Sequence, residues 1–459
     1  MATKLTPYLY HIPLVILRII LEELHETDRT AFFNFRIVSK ICRNESEYLL
    51  FRNISIHDHN AFAQSQSSKM VERLKNSNGS AVEYVRHLKI GPIRNEDWLQ
   101  SEIIPALGEV LRSIDNLSDL TWHMNCAPSP SFLHLFHEMH PLARLHLLLR
   151  DRKFEPLTRD LLASPQLYTL DTEIYRTLPG STGHSLSELS FIKSNLASST
   201  RVLRISARGV HADPQRAQFE EWGSVTNSVY NLDFQPGDRF PALSEMALEH
   251  DEFFLTEEHC SLWARATSWE QLQRLDLNKG APRYFLASLI NRATNLKYLR
   301  FYINLPTRND TWNIYPLESS IAVIEQFVAC TTSLHTLDLG GESLECLTHV
   351  LRVILQNLRG SLRSLKISWS GYPDTSGPID FVPGMLGWEP EYYMELLQMA
   401  PGLKHLNARM GKDTVLSNWK DDDCYADAGK KWKMSDKKIT IRNKEKKKQR
   451  SQKTQRLIW

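Results

Sequence analysis

The chain has 459 residues, of which 42% are hydrophobic and 24% are charged, and its formal net charge is +2 at pH 7. This length and balance predict a soluble globular protein with a large core. Its six cysteines are scattered without a C-x-x-C pair, which predicts reduced thiols and a location in the nucleus, the cytoplasm or both.

The first apolar run, from Ile12 to Leu21, contains Arg18. It is too short to span a bilayer, and no small-residue cleavage site follows it. We therefore expect neither a secreted protein nor one embedded in or bound to a membrane.

Residues 9–56 show a dense helical pattern and no repeat, which predicts a small domain of three helices. Pro13 suits the first position of a helix. The apolar face of that helix would comprise Ile16, Leu17, Ile20 and Leu24. Asp28 is placed to cap a second helix, with apolar residues Phe32, Phe33 and Phe35. A third helix is predicted from Glu45 to Phe51. A domain this small gains most stability by docking on a partner or on the rest of the chain.

Residues 57–84 are predicted to form a linker and a first repeat helix, and residues 85–410 contain repeats. The skeleton Leu-x-x-Leu-x-Leu recurs about every 25 to 40 residues, from Val85-x-x-Leu88-x-Ile90 to Leu403-x-x-Leu406-x-Ala408. Two apolar residues separated by one position point to the same side of a strand, and helical spacing follows in the intervening segments. We therefore predict an α/β fold of about eleven strand–loop–helix units. These would stack into a curved solenoid with a parallel inner sheet and outer helices. The matches at Leu232 and Met246 are too close for two full units, so one of them should lie in a loop or a truncated repeat.

The repeats resemble leucine-rich repeats of the long, irregular kind, and residues 9–56 resemble an F-box. Ile12-Pro13-x-x-Ile16-Leu17 is similar to the opening Leu-Pro-x-Glu-Ile-Leu pattern of that family, and Arg36-Ile37-Val38-Ser39-Lys40 to its closing element. The sequence departs from the family at Val15, where Glu is usual, and in the stretch from Asp28 to Arg36, which is about one helical turn longer. The order of the elements is that of F-box/leucine-rich-repeat proteins.

This resemblance implies a substrate-recruiting subunit of a Skp–cullin–F-box ubiquitin ligase. The F-box would dock on the Skp-type adaptor, and through it on a cullin scaffold. By position, the adaptor contacts would be Ile12, Pro13, Ile16, Leu17, Ile20, Leu24 and Val38. The alternative is that the same helices only cap the first repeat, as any repeat stack requires, in a scaffold without ligase attachment.

The strand residues that flank the apolar pairs predict a surface for an unknown protein target. Basic residues gather in the first and last repeats and carboxylates in the middle, and this mixed sign with tyrosines suits a protein better than a nucleic-acid backbone. The alternative for any one residue is an ordinary solvated strand face. The central candidates are Asp171, Glu173, Glu245, Glu249, Arg274, Asp276, Tyr298, Arg300 and Tyr302.

His134, His137 and His140 follow one another at three-residue spacing and invite comparison with a metal site. We expect no metal there, because His134 and His137 fall on the solvent side of a helix. The buried side of that helix would be formed by Phe132, Leu135, Phe136 and Met139. No nucleotide-binding, paired-cysteine or nucleophile motif is found in a suitable context, so we expect no cofactor and no enzymatic activity.

Residues 411–459 form a tail that is acidic and then basic. Between Lys430 and Arg456 there are 13 Lys and Arg residues against two acidic residues. Such a segment is predicted to be disordered. A nuclear import signal is predicted at Lys446, Lys447, Lys448 and Arg450. The alternatives are nonspecific contact with nucleic acid or an acidic partner, and no specific role.

Overall fold

The fold is described from a computed structural model of the chain. The structure describes residues 12–76, 80–150, 152, 156–175, 184–208, 232, 234–249, 256–277, 283–303, 317–341, 344–369 and 399–410. The predicted tail, including Lys446, Lys447, Lys448 and Arg450, lies outside the described residues. The chain divides into two compact units. The first comprises Met1–Glu173 and Asn195–Thr200, and the second comprises Ile174–Ser194 and Arg201–Trp459.

The first unit begins with three helices, α1 (Leu14–Thr27), α2 (Arg29–Arg36) and α3 (Lys40–Arg52). The Asp28 carboxylate accepts a hydrogen bond from the Ala31 amide, which confirms the predicted cap of the second helix. The third helix is longer than predicted, because the hydroxyl of Ser39 caps it by accepting from the Cys42 amide. The three helices share a small core of Leu17, Leu21 and Phe32.

Parallel strands follow, and each pairs with the next in sequence order. In the first unit these are β1 (Asn53–Ile56), β2 (His87–Ile90), β3 (Asp119–His123), β4 (Arg144–Leu149) and β5 (Leu167–Tyr175), of which the last two residues are counted with the second unit. Helices and shorter turns lie between them at Ala61–Lys75, Ser80–Tyr84, Glu96–Trp98, Ile104–Ser113, Pro130–Met139 and Arg159–Leu162, with a π-helical segment at Leu99–Ile103. The helix at Ala61–Lys75 lies within residues 57–84, where the sequence predicts a linker and a first repeat helix.

The second unit repeats this pattern. Its strands are β6 (Val202–Arg208), β7 (Glu245–Glu249), β8 (Arg274–Asp276), β9 (Tyr298–Ile303), β10 (Thr336–Gly341), β11 (Ser364–Trp369) and β12 (His405–Met410), again parallel and in order. Helical segments lie at His184–Asn195, Glu257–Ala266, Trp269–Gln271, Arg283–Leu289, Leu317–Cys330 and Leu344–Asn357. The predicted α/β class and parallel strand pairing are confirmed, and each unit is consistent with a solenoid-like arrangement.

The repeated leucines explain this pairing. Leu88 stands in register with Ile54 and Leu120, and all three are buried. Each fully buried leucine or isoleucine side chain contributes about 1.5–3 kcal/mol before conformational entropy is subtracted. Equivalent positions in neighbouring strands therefore form a continuous apolar layer in each unit.

The sheet differs from the prediction in two places. It begins at β1 rather than at residue 85, because Phe51, Ile54 and Ile56 already occupy the three skeleton positions, with an aromatic residue in place of the first leucine. Of the two closely spaced matches, Met246 lies in β7, whereas Leu232 is buried outside any strand. Only one of the two matches therefore lies in a described strand, in line with the expectation that the other lies in a loop or a truncated repeat.

Candidate protein-interaction surfaces

The most unusual surface lies on the first two helices, where large apolar side chains face outward. We call it the N-terminal apolar patch. It consists of Leu14, Val15, Ile16, Ile19 and Ile20 on α1, Phe33 on α2, and Ile37 and Val38 just after α2. Val15 is 66% exposed and Ile37 is 76% exposed. Clustered exposed apolar residues of this size are typical of interaction sites rather than of ordinary surface.

The patch exists because α1 is apolar on two sides. Leu17 and Leu21 point into the small helical core against Phe32, while Ile16 and Ile20 remain outside it. An amphipathic surface helix normally presents a polar face opposite its core side. Here much of the second side is also apolar. The first unit buries the apolar side chains on one side of α1 and leaves those on the other side exposed.

Ion pairs fix the third helix beneath this arrangement. The Arg18 Nε atom lies 2.5 Å from a carboxylate oxygen of Glu45, and Arg36 Nη2 lies 2.6 Å from one of Glu47. The Arg18 guanidinium also lies 4.7 Å from the centre of the Tyr48 ring. The hydrogen bond to Glu45 raises the pKa of Arg18. These contacts hold α1 and α2 on α3 and thereby keep the patch on rigid elements.

The structure places the predicted adaptor contacts in three environments. Pro13, Ile16, Ile20 and Val38 are exposed, and Ile12 and Leu24 are partly buried against the helical core. Leu17 is 1% exposed, so its prediction as a contact residue is corrected. Leu17 follows Ile16 in the sequence, so its side chain leaves the helix in a different direction, towards Leu21 and Phe32 in the core. Sequence reasoning missed five exposed members of the patch, namely Leu14, Val15, Ile19, Phe33 and Ile37.

A second surface is the strand face of the first unit, opposite its buried leucines. At its centre the carboxylate of Asp119 is buried among three cationic or titratable side chains from the two neighbouring strands. Arg144 Nε lies 2.7 Å, His87 Nδ1 2.8 Å and His146 Nε2 3.0 Å from its oxygens. The other nitrogen of His146 is 2.9 Å from the hydroxyl of Thr169 on the next strand.

Burial and hydrogen bonding shift the pKa values of this cluster in opposite directions. Burial alone would raise the pKa of Asp119, but the hydrogen bonds from Arg144 and His146 outweigh it and hold that pKa below its usual value. For His146 burial dominates and lowers the pKa, although the bond to Asp119 acts in the other direction. The resulting state near neutral pH is a charged carboxylate held chiefly by Arg144.

On the strand face of the second unit, carboxylates also pair with cations from adjacent strands. Glu245 accepts from Arg204 at 2.8 Å and from Arg274 at 3.1 Å. Lys366 reaches a carboxylate oxygen of Asp338 at 2.5 Å. The Arg274 guanidinium carbon lies 3.7 Å from the centre of the Tyr298 ring. Side chains that neutralise one another in this way stabilise the strand order and have little charge left for a partner.

This pairing revises the predicted target-binding set. Tyr298, Arg274 and Arg300 are partly exposed, as are Glu245 and Glu249. Four other predicted residues are buried, namely Asp171, Glu173, Asp276 and Tyr302. Asp171 is held by Arg150 at 2.8 Å and Asp276 by Arg300 at 3.4 Å. Their prediction as open contact residues is corrected, because strand alternation alone does not reveal which carboxylates are covered by neighbouring side chains.

The histidine helix, Pro130–Met139, also departs from the prediction. His134 is exposed as predicted, but His137 is half-buried and lies 2.9 Å from the Ser164 hydroxyl through its Nε2 atom. His140 is buried, with its Nε2 atom 2.9 Å from the carbonyl oxygen of Leu111. Met139 is 39% exposed rather than buried, because Leu133 takes the inward position. Within the described ranges, no group of three or more His, Cys, Asp or Glu residues is arranged to hold a metal ion.

No helix among the described residues is both long enough and apolar enough to cross a membrane. The chain matches no protein-family model, and a search of curated proteins finds no match either.

Proposed function

We propose that this chain is the substrate-recruiting subunit of a Skp–cullin–F-box ubiquitin ligase. The N-terminal apolar patch would dock on the Skp-type adaptor, and the strand faces of the repeats would hold a protein target. The cullin scaffold would be reached through the adaptor. In this role the chain carries no catalytic group of its own.

The exposure of the N-terminal apolar patch is the observation that carries this proposal. Its eight side chains are each 38–76% exposed on elements that are otherwise well packed. Full burial of such a side chain is worth about 1.5–3 kcal/mol, so covering their exposed halves would release roughly 6–12 kcal/mol in total. Association itself costs about 4–15 kcal/mol, so the patch is of the right size for a specific complex in which single residues matter.

The departure from the F-box pattern at Val15 is compatible with this role. Val15 is among the most exposed members of the patch, so valine in place of the usual glutamate enlarges the apolar area. We expect an adaptor that meets this position with an apolar rather than a basic group. The longer stretch from Asp28 to Arg36 includes Phe33, and Ile37 follows it; both side chains are exposed and add apolar area for such an adaptor.

The second candidate function is a repeat scaffold without ligase attachment. It is favoured by the way the helices join the repeats: α3 ends where β1 begins, and the Tyr48 ring lies 6.0 Å from that of Tyr84 in an edge-on arrangement. A cap of this kind uses the inner side of the helices. A capping role alone does not explain why large apolar side chains are exposed on the opposite side of these helices.

Co-purification with the Skp-type adaptor and its cullin separates the two functions. The full chain should recover both proteins, and the double variant Ile16→Asp, Ile20→Asp should recover neither while keeping its circular-dichroism spectrum. Leu142→Asp is the matched control, because Leu142 is 95% exposed elsewhere in the same unit. If the double variant loses adaptor binding and folding together, or if the parent chain recovers no adaptor, the scaffold is the better account.

A further inference from the structure

Lys89 differs from the other described cations of the strand faces. Arg144 and Arg150 in the first unit pair with carboxylates, as do Arg204, Arg274, Arg300 and Lys366 in the second. Lys89 lies in the middle of β2, partly exposed, and the part of the chain that the structure describes offers its ammonium group no hydrogen bond or ion pair. An ammonium without a counter-charge on an ordered sheet is a place where a partner can supply one.

Two histidines flank Lys89 on the same face. Ser55, Lys89 and Thr121 stand in register across β1, β2 and β3, and two residues beyond Ser55 and Thr121 lie His57 and His123. Strand alternation places His57 and His123 on the face that Lys89 occupies, and both are partly exposed. The Nδ1 atom of His123 is buried and has no hydrogen-bond partner within the described ranges.

Burial and the positive charge of Lys89 dominate the electrostatic surroundings of these histidines. Burial lowers the pKa of both His57 and His123, and the charge of Lys89 lowers it further in each case. The other charged or titratable groups that face these two imidazoles are Asp58, His59, Arg150 and Asp171. Asp58 already accepts from the backbone amides of Arg94 and Asn95, and Asp171 pairs with Arg150. The carboxylates nearby are therefore engaged elsewhere.

We propose that the strand face of the first unit binds an acidic segment of a partner protein, with carboxylates pairing with Lys89 and with the imidazoles of His57 and His123. This inference rests on the proposed function in one respect, since that segment would belong to the recruited target. An extended chain carrying glutamate or aspartate side chains fits the face best, because the three groups are distributed over adjacent parallel strands about 4.8 Å apart.

A hexaglutamate peptide labelled with fluorescein is the probe, and the full chain is the protein. Because the basic tail also attracts acidic peptides, the decisive readout is position-specific. Carbodiimide joins a bound carboxylate to a nearby lysine as an amide, and peptide mass spectrometry then locates the joined lysine. We expect Lys89 among the joined residues. Joining confined to the tail lysines between Lys430 and Lys453 would overturn the proposal.

Affinity measurements on variants give the second readout. Lys89→Glu should weaken peptide binding about tenfold or more. Lys89→Arg keeps the positive charge and should bind the peptide about as tightly as the parent chain. The matched control is Lys69→Glu, which makes the same charge change on an exposed helix residue of the same unit and should alter affinity by less than about twofold. Equal effects of Lys89→Glu and Lys69→Glu would contradict the proposal.

The pH dependence of peptide affinity distinguishes binding at Lys89 from binding at the basic tail. Carboxylate binding favours protonated imidazoles, and burial together with the charge of Lys89 keeps the pKa of both histidines below the ordinary value of about 6.5. Affinity should therefore rise as the pH is lowered from about 7.5 to about 5.5, with most of the rise below about 6.5. The combined variant His57→Gln, His123→Gln should lose this rise, whereas lysines and arginines of the tail keep their charge throughout. A parent chain with no rise would contradict the role of the histidines.

The remaining occupant to test is the chain's own acidic run, Asp421-Asp422-Asp423. If the peptide joins Lys89 only after these residues are changed to asparagine, an internal segment occupies the face and the proposal of an external partner is overturned. None of these assays contains the adaptor. Failure here therefore leaves the docking of the N-terminal apolar patch standing, and failure of that docking leaves the acidic-segment site standing.

Discussion

Replacing Asp119 by asparagine tests whether the buried charge cluster holds the strand face of the first unit together. The substitution keeps the shape of the side chain but removes its negative charge from between Arg144, His87 and His146. Asparagine retains one acceptor oxygen, but its NH2 group would face a nitrogen donor where Asp119 has its second carboxylate oxygen. A hydrogen bond to a charged group is worth about 1.5–3 kcal/mol, and Arg144 is half-exposed, which reduces its share. We expect a loss of about 2–4 kcal/mol in local stability.

The assay is native-state amide hydrogen exchange by mass spectrometry, because repeat proteins often unfold in parts rather than as one unit. Protection of β2, β3 and β4 should fall by about 30- to 1,000-fold in the Asp119→Asn variant. Asp115→Asn, at an exposed position of the same unit, is the control and should change stability by less than about 0.5 kcal/mol.

The pH dependence gives an independent check. The folded pKa of Asp119 lies below the unfolded value of about 3.9, so its stabilisation is complete above that value. It is lost as the pH falls through the lower, folded pKa, and the asparagine variant should lack this component. If Asp119→Asn behaves like Asp115→Asn in exchange and in acid, water satisfies the cations and the cluster does not hold the strands.

Two further predictions follow from the same unit. Gly91→Ala should destabilise the protein by about 2–5 kcal/mol, because Gly91 has a φ of 92° and an added Cβ would overlap the backbone oxygen of His123. Gly237→Ala shares the positive φ but has open space, so thermal melts should show a loss of only about 1 kcal/mol; equal losses would rule out the overlap. Burial lowers the pKa of His140, so its stabilising neutral form is fully effective above about pH 6.5 and is lost as the pH falls below that value. Denaturant titrations at about pH 7.5 and about pH 5 should show a smaller acid loss for His140→Gln than for the parent. His134→Gln, at an exposed position, should match the parent; an unchanged loss in His140→Gln would contradict this assignment.

The repeated strands could be predicted from the sequence because the apolar residues that show the strand periodicity are also the residues that become buried. Leu337 illustrates this: its skeleton position predicts a buried strand residue, and it stands in register with Leu299 and Leu365 in the parallel sheet. The first strand escaped prediction because Phe51 replaces the leucine on which the pattern depends. The fold class therefore follows from the sequence, and the point at which the sheet begins does not.

The candidate sites were less predictable, for two physical reasons. Helical spacing identifies the apolar residues of α1 but does not show which of them another helix covers, so Leu17 and Ile16 look alike until the packing of Phe32 is known. Strand alternation likewise identifies Asp171 as a face residue, whereas its burial depends on the position of Arg150, which directly follows the neighbouring strand β4. Both properties arise from contacts between distant segments.

The affinity of the full chain for the purified Skp-type adaptor, measured by calorimetry, tests the central claim most directly. The parent chain should bind with one-to-one stoichiometry. Ile16→Asp, Ile20→Asp should weaken binding at least about 100-fold, because it removes two apolar contacts and forces carboxylates to lose their water. Leu142→Asp should bind as the parent does. Equal affinity of all three proteins, or no binding by the parent, would contradict the account.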